Sequence, residues 1–483
     1  MERPKMFGFQ RNAVERMSEL NGVLLFDDMG LGKTRQTIEA IKKSNALPAL
    51  IIPPKGLALN WVNEIQKWTD DEVVMWDFDA DDMIDEYMAQ FLPGQKKKWF
   101  VMWHNALEYM IDTNRYDADE IAEIMLKLNW RSIVVDEAHK LRNDDTFKTR
   151  ALLKFRQTED QKRFCLTGTP VVNSAMDLYP LLKFLGMSVP EDGWVFMERF
   201  TNKGSNGRPR GWRNKAELMD IIGDSWIRRT KAQVLKDLPP KIEQTLELEM
   251  APDQRKAYDS LMTTLMLSLE DGGHLMIGGQ GLGAQLALMT RLRQLSLDPR
   301  LLGKHASSAK NQAVFDLLDG LDSKDGGVLI FSNFTEYLNQ LKLVLEADSY
   351  KCSIITGEVD IAKRQEEIER FQSGENRVLL ANMAASGEGL NLTEASTVIV
   401  TDYWWNKVRA QQAIDRAHRI GQKRSVTAIQ LHIKDSIDDM LRGMVAEKDA
   451  TGKDLLVSMV EHTMNSNPEL LDKLGISKDL IVT

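Results

Sequence analysis

The apolar run Val23-Leu24-Leu25-Phe26 passes directly into Asp27-Asp28-Met29-Gly30-Leu31-Gly32-Lys33-Thr34, and no other stretch narrows the possible folds as much. An apolar tetrapeptide bounded by turn residues reads as a buried strand, and Thr34 onward has helical character. Gly30 and Gly32 therefore stand where a strand turns into a helix. Glycine lets the backbone approach a polyanion, and the N–H groups and dipole of the helix start favour its charge. The backbone from Met29 through Leu31 to Gly32 would line the cradle, Lys33 would reach the terminal phosphates, and the Thr34 hydroxyl would hold magnesium. The strict phosphate-loop pattern has glycine at position 27. This chain has Asp27 there.

A second polar motif follows another apolar run. Ser132-Ile133-Val134-Val135 reads as a buried strand that delivers Asp136 and Glu137 at its carboxyl end, ahead of Ala138 and His139. That edge of an open α/β sheet is where ligands bind. Asp136 is expected to hold magnesium through water, and Glu137 to polarise an attacking water. The bland reading is an acidic turn, but average composition makes this tetrapeptide rare by chance. A third strand, Arg163-Phe164-Cys165-Leu166, closes with Thr167-Gly168-Thr169-Pro170. Hydroxyls there could relay between the two carboxylates and a second domain. Taken alone, the tetrapeptide is only a good turn.

Strand-like runs alternate with helical stretches twice over. The first set covers residues 23–26, 49–52, 100–103, 133–135 and 164–166, and the second covers 328–331, 353–355, 378–380, 398–401 and 427–431. Alternation of this kind predicts an α/β protein with mainly parallel sheets flanked by helices. Length agrees, since 483 residues suggest about three ordinary domains, or two larger ones with insertions. Pro239-Pro240 marks the joint, so the expected domains are 1–238 and 239–465, with 466–483 as an unassigned tail. Residues 171–228 and 253–308 have no strand pattern and read as helical insertions.

The resemblance can now be stated. The order G-x-G-K-T, D-E-A-H, T-G-T-P resembles helicase superfamily two. The segment Gln412-Ala413-Ile414-Asp415-Arg416-Ala417-His418-Arg419-Ile420-Gly421-Gln422 resembles the signature of Swi/Snf-type DNA-translocating ATPases, in a minimal bacterial- or phage-like form. So do Ser386-Gly387-Glu388-Gly389-Leu390-Asn391-Leu392 and Trp404-Trp405-Asn406, while Ile227-Arg228-Arg229-Thr230-Lys231 resembles the family's link between its motor domains. The likeness runs from about Phe7 to about Lys448.

The resemblance implies two RecA-like domains, ATP and Mg2+ as cofactors, and duplex DNA bound through its backbone. Lys33, Asp136 and Glu137 would be catalytic residues of the first domain. From the second, Arg416 and Arg419 would point at the γ-phosphate. Three apart, they would share one face of a helix, and an arginine finger adds about 10³–10⁵ to the rate. Gln10 would read the adenine edge, with Phe7 a possible stacking partner, and Gly387, Gly389 and Gln412 would complete the nucleotide site. Lys55, Asn60, Trp61, Ser332, Asn333, Thr356, Gly357, Arg364 and Trp404 fall where the family contacts DNA. For Trp61 and Trp404, core packing competes with base stacking. Lys407 stands where many relatives have proline.

Charge permits this reading without demanding it. The net charge of −9 argues against nucleic acid, yet Lys407, Arg409, Arg416, Arg419, Lys423 and Arg424 face the single acid Asp415 within residues 407–424. Local basic patches set phosphate binding. With no run of twenty apolar residues and no cleavable signal at Met1-Glu2-Arg3-Pro4-Lys5, an intracellular protein, cytoplasmic or nucleoid-associated and without a membrane partner, is expected. Cys165 and Cys352 read as buried free thiols, and no Cys/His spacing suggests zinc.

Gly279-Gln280-Gly281-Leu282-Gly283-Ala284 fits a dinucleotide fingerprint but lacks a preceding strand, so a mobile loop is expected. Residues 436–448 read as an amphipathic helix. The motor implied would remodel DNA or protein–DNA complexes in repair, recombination or replication, with an unknown protein partner. A strand-separating, annealing or fork-remodelling helicase acting on forked or branched DNA is a second reading. A non-enzymatic DNA scaffold clamped by ATP is the third.

Overall fold

The computed structural model describes residues 4–75, 98–104, 106, 130–141, 146–154, 158, 160–168, 175–203, 209–210, 212–270, 282–322, 325–357, 359, 361–383, 392–402 and 407–447. The chain divides into two compact units, Met1–Leu238 and Pro239–Thr483.

The strands of the first unit are β1 (Gly22–Leu25), β2 (Ala49–Ile52), β3 (Glu72–Met75), β4 (Lys98–Val101), β5 (Ser132–Asp136), β6 (Lys162–Leu166), β7 (Asn202–Lys203), β8 (Pro209–Arg210) and β9 (Trp226–Ile227). Seven form one parallel sheet in the order β3-β4-β2-β5-β6-β1-β9, and β7 and β8 pair antiparallel. Alternate residues of a strand point to opposite faces. Ile133 and Val135 accordingly join Leu24, Leu50, Tyr179 and Phe196 on one face, and Val134 joins Leu25, Ile38, Trp61 and Phe164 on the other. With helices on both faces, β5 is buried along its whole length, which is why it reads as an unbroken apolar run.

Three short strands, β7, β8 and β9, lie within residues 171–228, beside the helices expected there (Tyr179–Leu185, Gly193–Phe200 and Lys215–Ile222). The edge strand β3 was also not foreseen. It follows Asp70-Asp71, opens on Glu72 and offers only the short apolar run Val73-Val74-Met75, at a sheet edge where all four residues stay at least partly exposed. Strand β4 begins at Lys98, earlier than the apolar residues alone suggest. Its ammonium pairs with Glu72 at 3.0 Å, and that pairing lets a lysine join the sheet.

The second unit contains β10 (Lys241–Leu248), β11 (Gly327–Ser332), β12 (Cys352–Ile355), β13 (Val378–Asn382), β14 (Ala395–Val400) and β15 (Val426–Ile433), all parallel, in the order β10-β15-β14-β11-β13-β12. Of these, β10 is a polar edge strand that hydrophobic patterning could not reveal. The insertion helices Pro252–Glu270 and Leu282–Leu297 enclose a separate small core. Tyr258, Met262, Leu288 and Leu292 meet Ile437, Met440 and Leu441 of the C-terminal helix Ile437–Glu447 there. That helix lies within the range expected from its amphipathic pattern. Of the fingerprint-like stretch, residues 279–281 lie outside the described residues, and Leu282 begins a helix. Cys165 and Cys352 are free and buried. Among the described residues, no helix is long and apolar enough to cross a membrane.

Candidate active site

Three adjacent strands, β5, β6 and β1, end at one edge of the first sheet, and each carries one of the motifs. Gly30 (φ 84°) and Gly32 (φ 78°) take the left-handed backbone that turns β1 into the helix Lys33–Lys43. At Gly32 a side chain would meet Gln10 Nε2 at 2.6 Å from its Cβ. Lys33 is the first helical residue, and its Nζ donates to the carbonyls of Asp27 at 2.9 Å and Asp28 at 3.4 Å. Thr34 follows in the same first turn.

At the end of β5, Asp136 is buried. It accepts the indole N–H of Trp61 on Oδ2 at 2.8 Å and the Glu137 amide on Oδ1 at 2.9 Å. Burial, with the adjacent Glu137 charge, pushes Asp136 up to about 6, against the pull of the Trp61 hydrogen bond and the Lys33 ammonium. Two close, buried carboxylates are a natural place for positive charge. Glu137 has φ 47°, a strained conformation for a side chain of this size, and strain of that kind concentrates at functional sites.

The turn after β6 belongs to the same cluster. His139 Nδ1 lies 3.0 Å from Thr167 Oγ1 and 3.2 Å from Glu137 Oε2, so one imidazole bridges the two motifs. A Cβ on Gly168 would stand 2.6 Å from Met29 Cγ and 3.6 Å from Lys33 Nζ. Thr167 and Gly168 therefore touch the site that the sequence had reduced to a turn. A buried tryptophan needs an acceptor for its N–H, and that was the only sequence hint of the Trp61–Asp136 bond.

Several of the expected site residues bond within their own unit. Trp61 is fully buried with its N–H on Asp136, so it presents no face to a base. Gln10 is buried and braces the loop, with Nε2 on the Leu31 carbonyl at 3.1 Å and Oε1 accepting the Phe7 amide. In the second unit, the helix Lys407–Ile414 ends before the arginines, so Arg416 and Arg419 lie in a series of turns. Beyond Ile414, Arg416 N and Ala417 N donate to the carbonyls of Ala413 and Ile414, three residues back, while Gln422 donates to the carbonyls of Thr393, Ala395 and Ala417, and Gly421 has φ 101°. Arg416 is buried, Arg419 is half-buried, and Gln412 is half-buried on the helix. His418 Nε2 lies 2.8 Å from the Pro239 carbonyl.

Ser332 is also buried, and it donates to Asp402 at 3.0 Å, as does the Asn333 side chain at 2.6 Å. Burial raises Asp402 above the ordinary carboxylate range, opposed by Arg293 and by Asn333. These two residues spend their donors inside the unit, and Thr356 is buried too, so none of the three fits the expected outward DNA contact well. Lys55 is exposed, with Nζ 5.3 Å from the Trp103 ring. Asn60 and Arg364 are half-buried, and Gly357 is exposed. Gly387, Gly389 and Trp404 lie outside the described residues.

The donor set suits Mg2+ with ATP. Magnesium is usually held by one or two carboxylates together with substrate phosphates. Among the described residues, no group of three or more His, Cys, Asp or Glu forms a metal cage of its own.

Two parallel α/β units, the first with a phosphate loop beside paired carboxylates, have the two-domain RecA-like architecture. Residues 9–301 match the model of the SNF2-related domain and residues 309–421 that of the helicase conserved C-terminal domain, and the chain belongs to the SNF2-related family. It is 29% identical over 460 residues to an uncharacterized ATP-dependent helicase of Mycoplasma pneumoniae, covering 93% of this chain and 42% of the relative. A chromodomain-helicase-DNA-binding protein 3 homolog of Caenorhabditis elegans is 30% identical over 460 residues, covering 88% and 25% respectively. The chain thus spans less than half the length of these relatives. The solved SWI2/SNF2 ATPase core of Sulfolobus solfataricus in complex with dsDNA is 23% identical, covering 96% of this chain and 97% of that one, at a TM-score of 0.43.

Proposed function

We propose that this chain is an ATP-dependent motor that translocates on double-stranded DNA. The supporting observation is the convergence of Lys33, Asp136 with Glu137, and Thr167 with Gly168 at one sheet edge. In this reading Lys33 and the loop N–H groups bind the phosphates, while Thr34 and Asp136 hold Mg2+. Glu137 orients the attacking water and takes its proton, and His139 links that carboxylate to Thr167. When bound, Mg2+ neutralises charge on the phosphates. Arg416 and Arg419 supply further positive charge to the γ-phosphate, so turnover depends on the second unit.

DNA would be held by backbone contacts from Lys55, Asn60, Gly357 and Arg364, with Trp404 stacking on bases, so binding is independent of sequence and sensitive to salt. Remodelling of DNA or protein–DNA complexes in repair, recombination or replication is the proposed use.

Steady-state ATP hydrolysis without nucleic acid and with single strands, duplex and forked DNA tests the reading, with Lys33→Ala as the inactive control. Strong stimulation by plain duplex is the expected result. Stimulation confined to forks or single strands would favour fork remodelling or unwinding, and no hydrolysis under any condition would favour a scaffold or a motor that requires a protein partner.

A further inference from the structure

The phosphate loop departs from the strict pattern at position 27, and the structure gives that residue a specific partner. Asp27 is fully buried, at 0% exposure. Arg229 Nε donates to Asp27 Oδ1 at 2.9 Å, and Nη2 donates to Oδ2. The same guanidinium reaches Gln36 Oε1 at 2.7 Å and the Phe9 carbonyl, and lies 5.1 Å over the Phe9 ring. Gln36 in turn donates to Asp27 Oδ2 at 3.2 Å and to the Leu31 carbonyl at 3.1 Å. One arginine thus joins the start of the loop, the helix that follows it and the N-terminal helix Gly8–Glu19.

The backbone reinforces this arrangement. Phe26 N donates to the Ile227 carbonyl at 2.7 Å, Asp28 N to the Arg229 carbonyl at 2.9 Å, and Lys231 N to Asp28 Oδ2 at 2.9 Å. Residues on both sides of Asp27 are therefore fastened to residues 227–231. A glycine at 27 would leave this point free to turn, whereas a buried carboxylate in a guanidinium fork has one geometry. Neighbouring Arg228 is exposed, so only one of the two adjacent arginines does this.

We propose that Arg229 is a positioning residue for the phosphate loop. Acting through Asp27 and Gln36, it sets where the loop leaves β1, and so where Lys33 and the loop N–H groups point. The inference rests on the reading of this loop as the nucleotide site. It also makes nucleotide affinity depend on the segment that leads to the second unit.

The test is a double-mutant cycle on the full chain, reading the Kd of a fluorescent ATP analogue well below each variant's unfolding temperature. Arg229→Gln and Asp27→Asn should each weaken binding at least about tenfold, with the double variant no worse than the weaker-binding single. Asp27→Gly, which restores the strict pattern, should also weaken binding, and Arg228→Gln should stay within about twofold of wild type. Folded Arg229→Gln with wild-type affinity, or single effects that multiply in the double variant, would overturn the positioning role. If Arg229→Gln does not fold, Arg229→Lys carries the test: it keeps the charge but loses the fork, and unchanged affinity there overturns the role equally. A wild-type chain that binds no analogue would overturn the nucleotide site itself, and this proposal with it.

Discussion

Trp61 donates its indole N–H to Asp136 at 2.8 Å, tying the helix Ala58–Trp68 to the end of β5. Trp61→Phe keeps most of the packing and leaves a buried carboxylate oxygen without that donor. Stability should fall by about 1–3 kcal/mol in urea denaturation. This bond holds Asp136 down, so the acid limb of the ATPase pH profile should move to higher pH. A profile superimposable on wild type would show that the indole does not tune Asp136.

Asp136 makes the metal-free protein sensitive to pH. Its folded pKa is about 6, raised from 3.8 chiefly by burial. The folded state therefore binds this proton more tightly than the unfolded state, so stability from this group is full below about pH 4 and declines as pH rises through about 6. Asp136→Asn should remove the decline and stabilise the metal-free chain at pH 7 by at most about 3 kcal/mol. The gap between variant and wild type should widen from about pH 4 to about pH 6 in denaturation curves and level off above that. A gap that stays flat would contradict the shift.

Gly168 approaches the loop too closely to accept a side chain. In Gly168→Ala the new Cβ would lie 2.6 Å from Met29 Cγ, so the loop or the turn after β6 must move. ATP-analogue binding should weaken by about five- to tenfold, a cost of about 1–1.4 kcal/mol. Titration of a fluorescent analogue would read it, and wild-type affinity would mean the loop yields at no cost.

Arg419→Ala should spare ATP binding and lose DNA-stimulated turnover by about 10²-fold or more. Binding and hydrolysis measured on the same preparation separate the two effects. An unchanged turnover rate would remove the second unit from the chemistry.

Lys310 and Asp438 form a buried pair at 2.6 Å, and Asp438 also accepts the Ile433 amide at 3.0 Å. Lys310→Met leaves a buried carboxylate without its cation. It should cost the second unit about 3–5 kcal/mol in denaturation experiments. A loss under about 1 kcal/mol would show that Asp438 is satisfied by other donors.

What could be read in advance followed physical range. Runs such as 133–135 and 398–401 announce buried parallel strands because both faces of each are covered by helices. β3 and β10 did not, because each lies at a sheet edge: β3 offers only three apolar residues, none of them buried, and β10 is mostly polar. The helix assumed for Arg416 and Arg419 failed for a related reason. Local spacing suggested one face, but the helix ends at Ile414 and gives way to turns closed by Arg416 N on the Ala413 carbonyl and Ala417 N on the Ile414 carbonyl, with Gln422 tying the later turns to Thr393 and Ala395.

By itself the sequence determined two parallel α/β units, the strand–loop–helix around Gly30 to Thr34, and the delivery of Asp136 and Glu137 at a strand end. Each depends on residues close together in the chain. Only the tertiary structure decided how the buried polar groups pair: Trp61 with Asp136, His139 between Glu137 and Thr167, Gln10 with the phosphate loop, and Arg229 with Asp27. Those pairings depend on the order β2-β5-β6-β1-β9 and on the packing of the helix Gly8–Glu19 against Lys33–Lys43, which set distant segments side by side. Hydropathy specifies which residues are buried, and strand order specifies which partners they find.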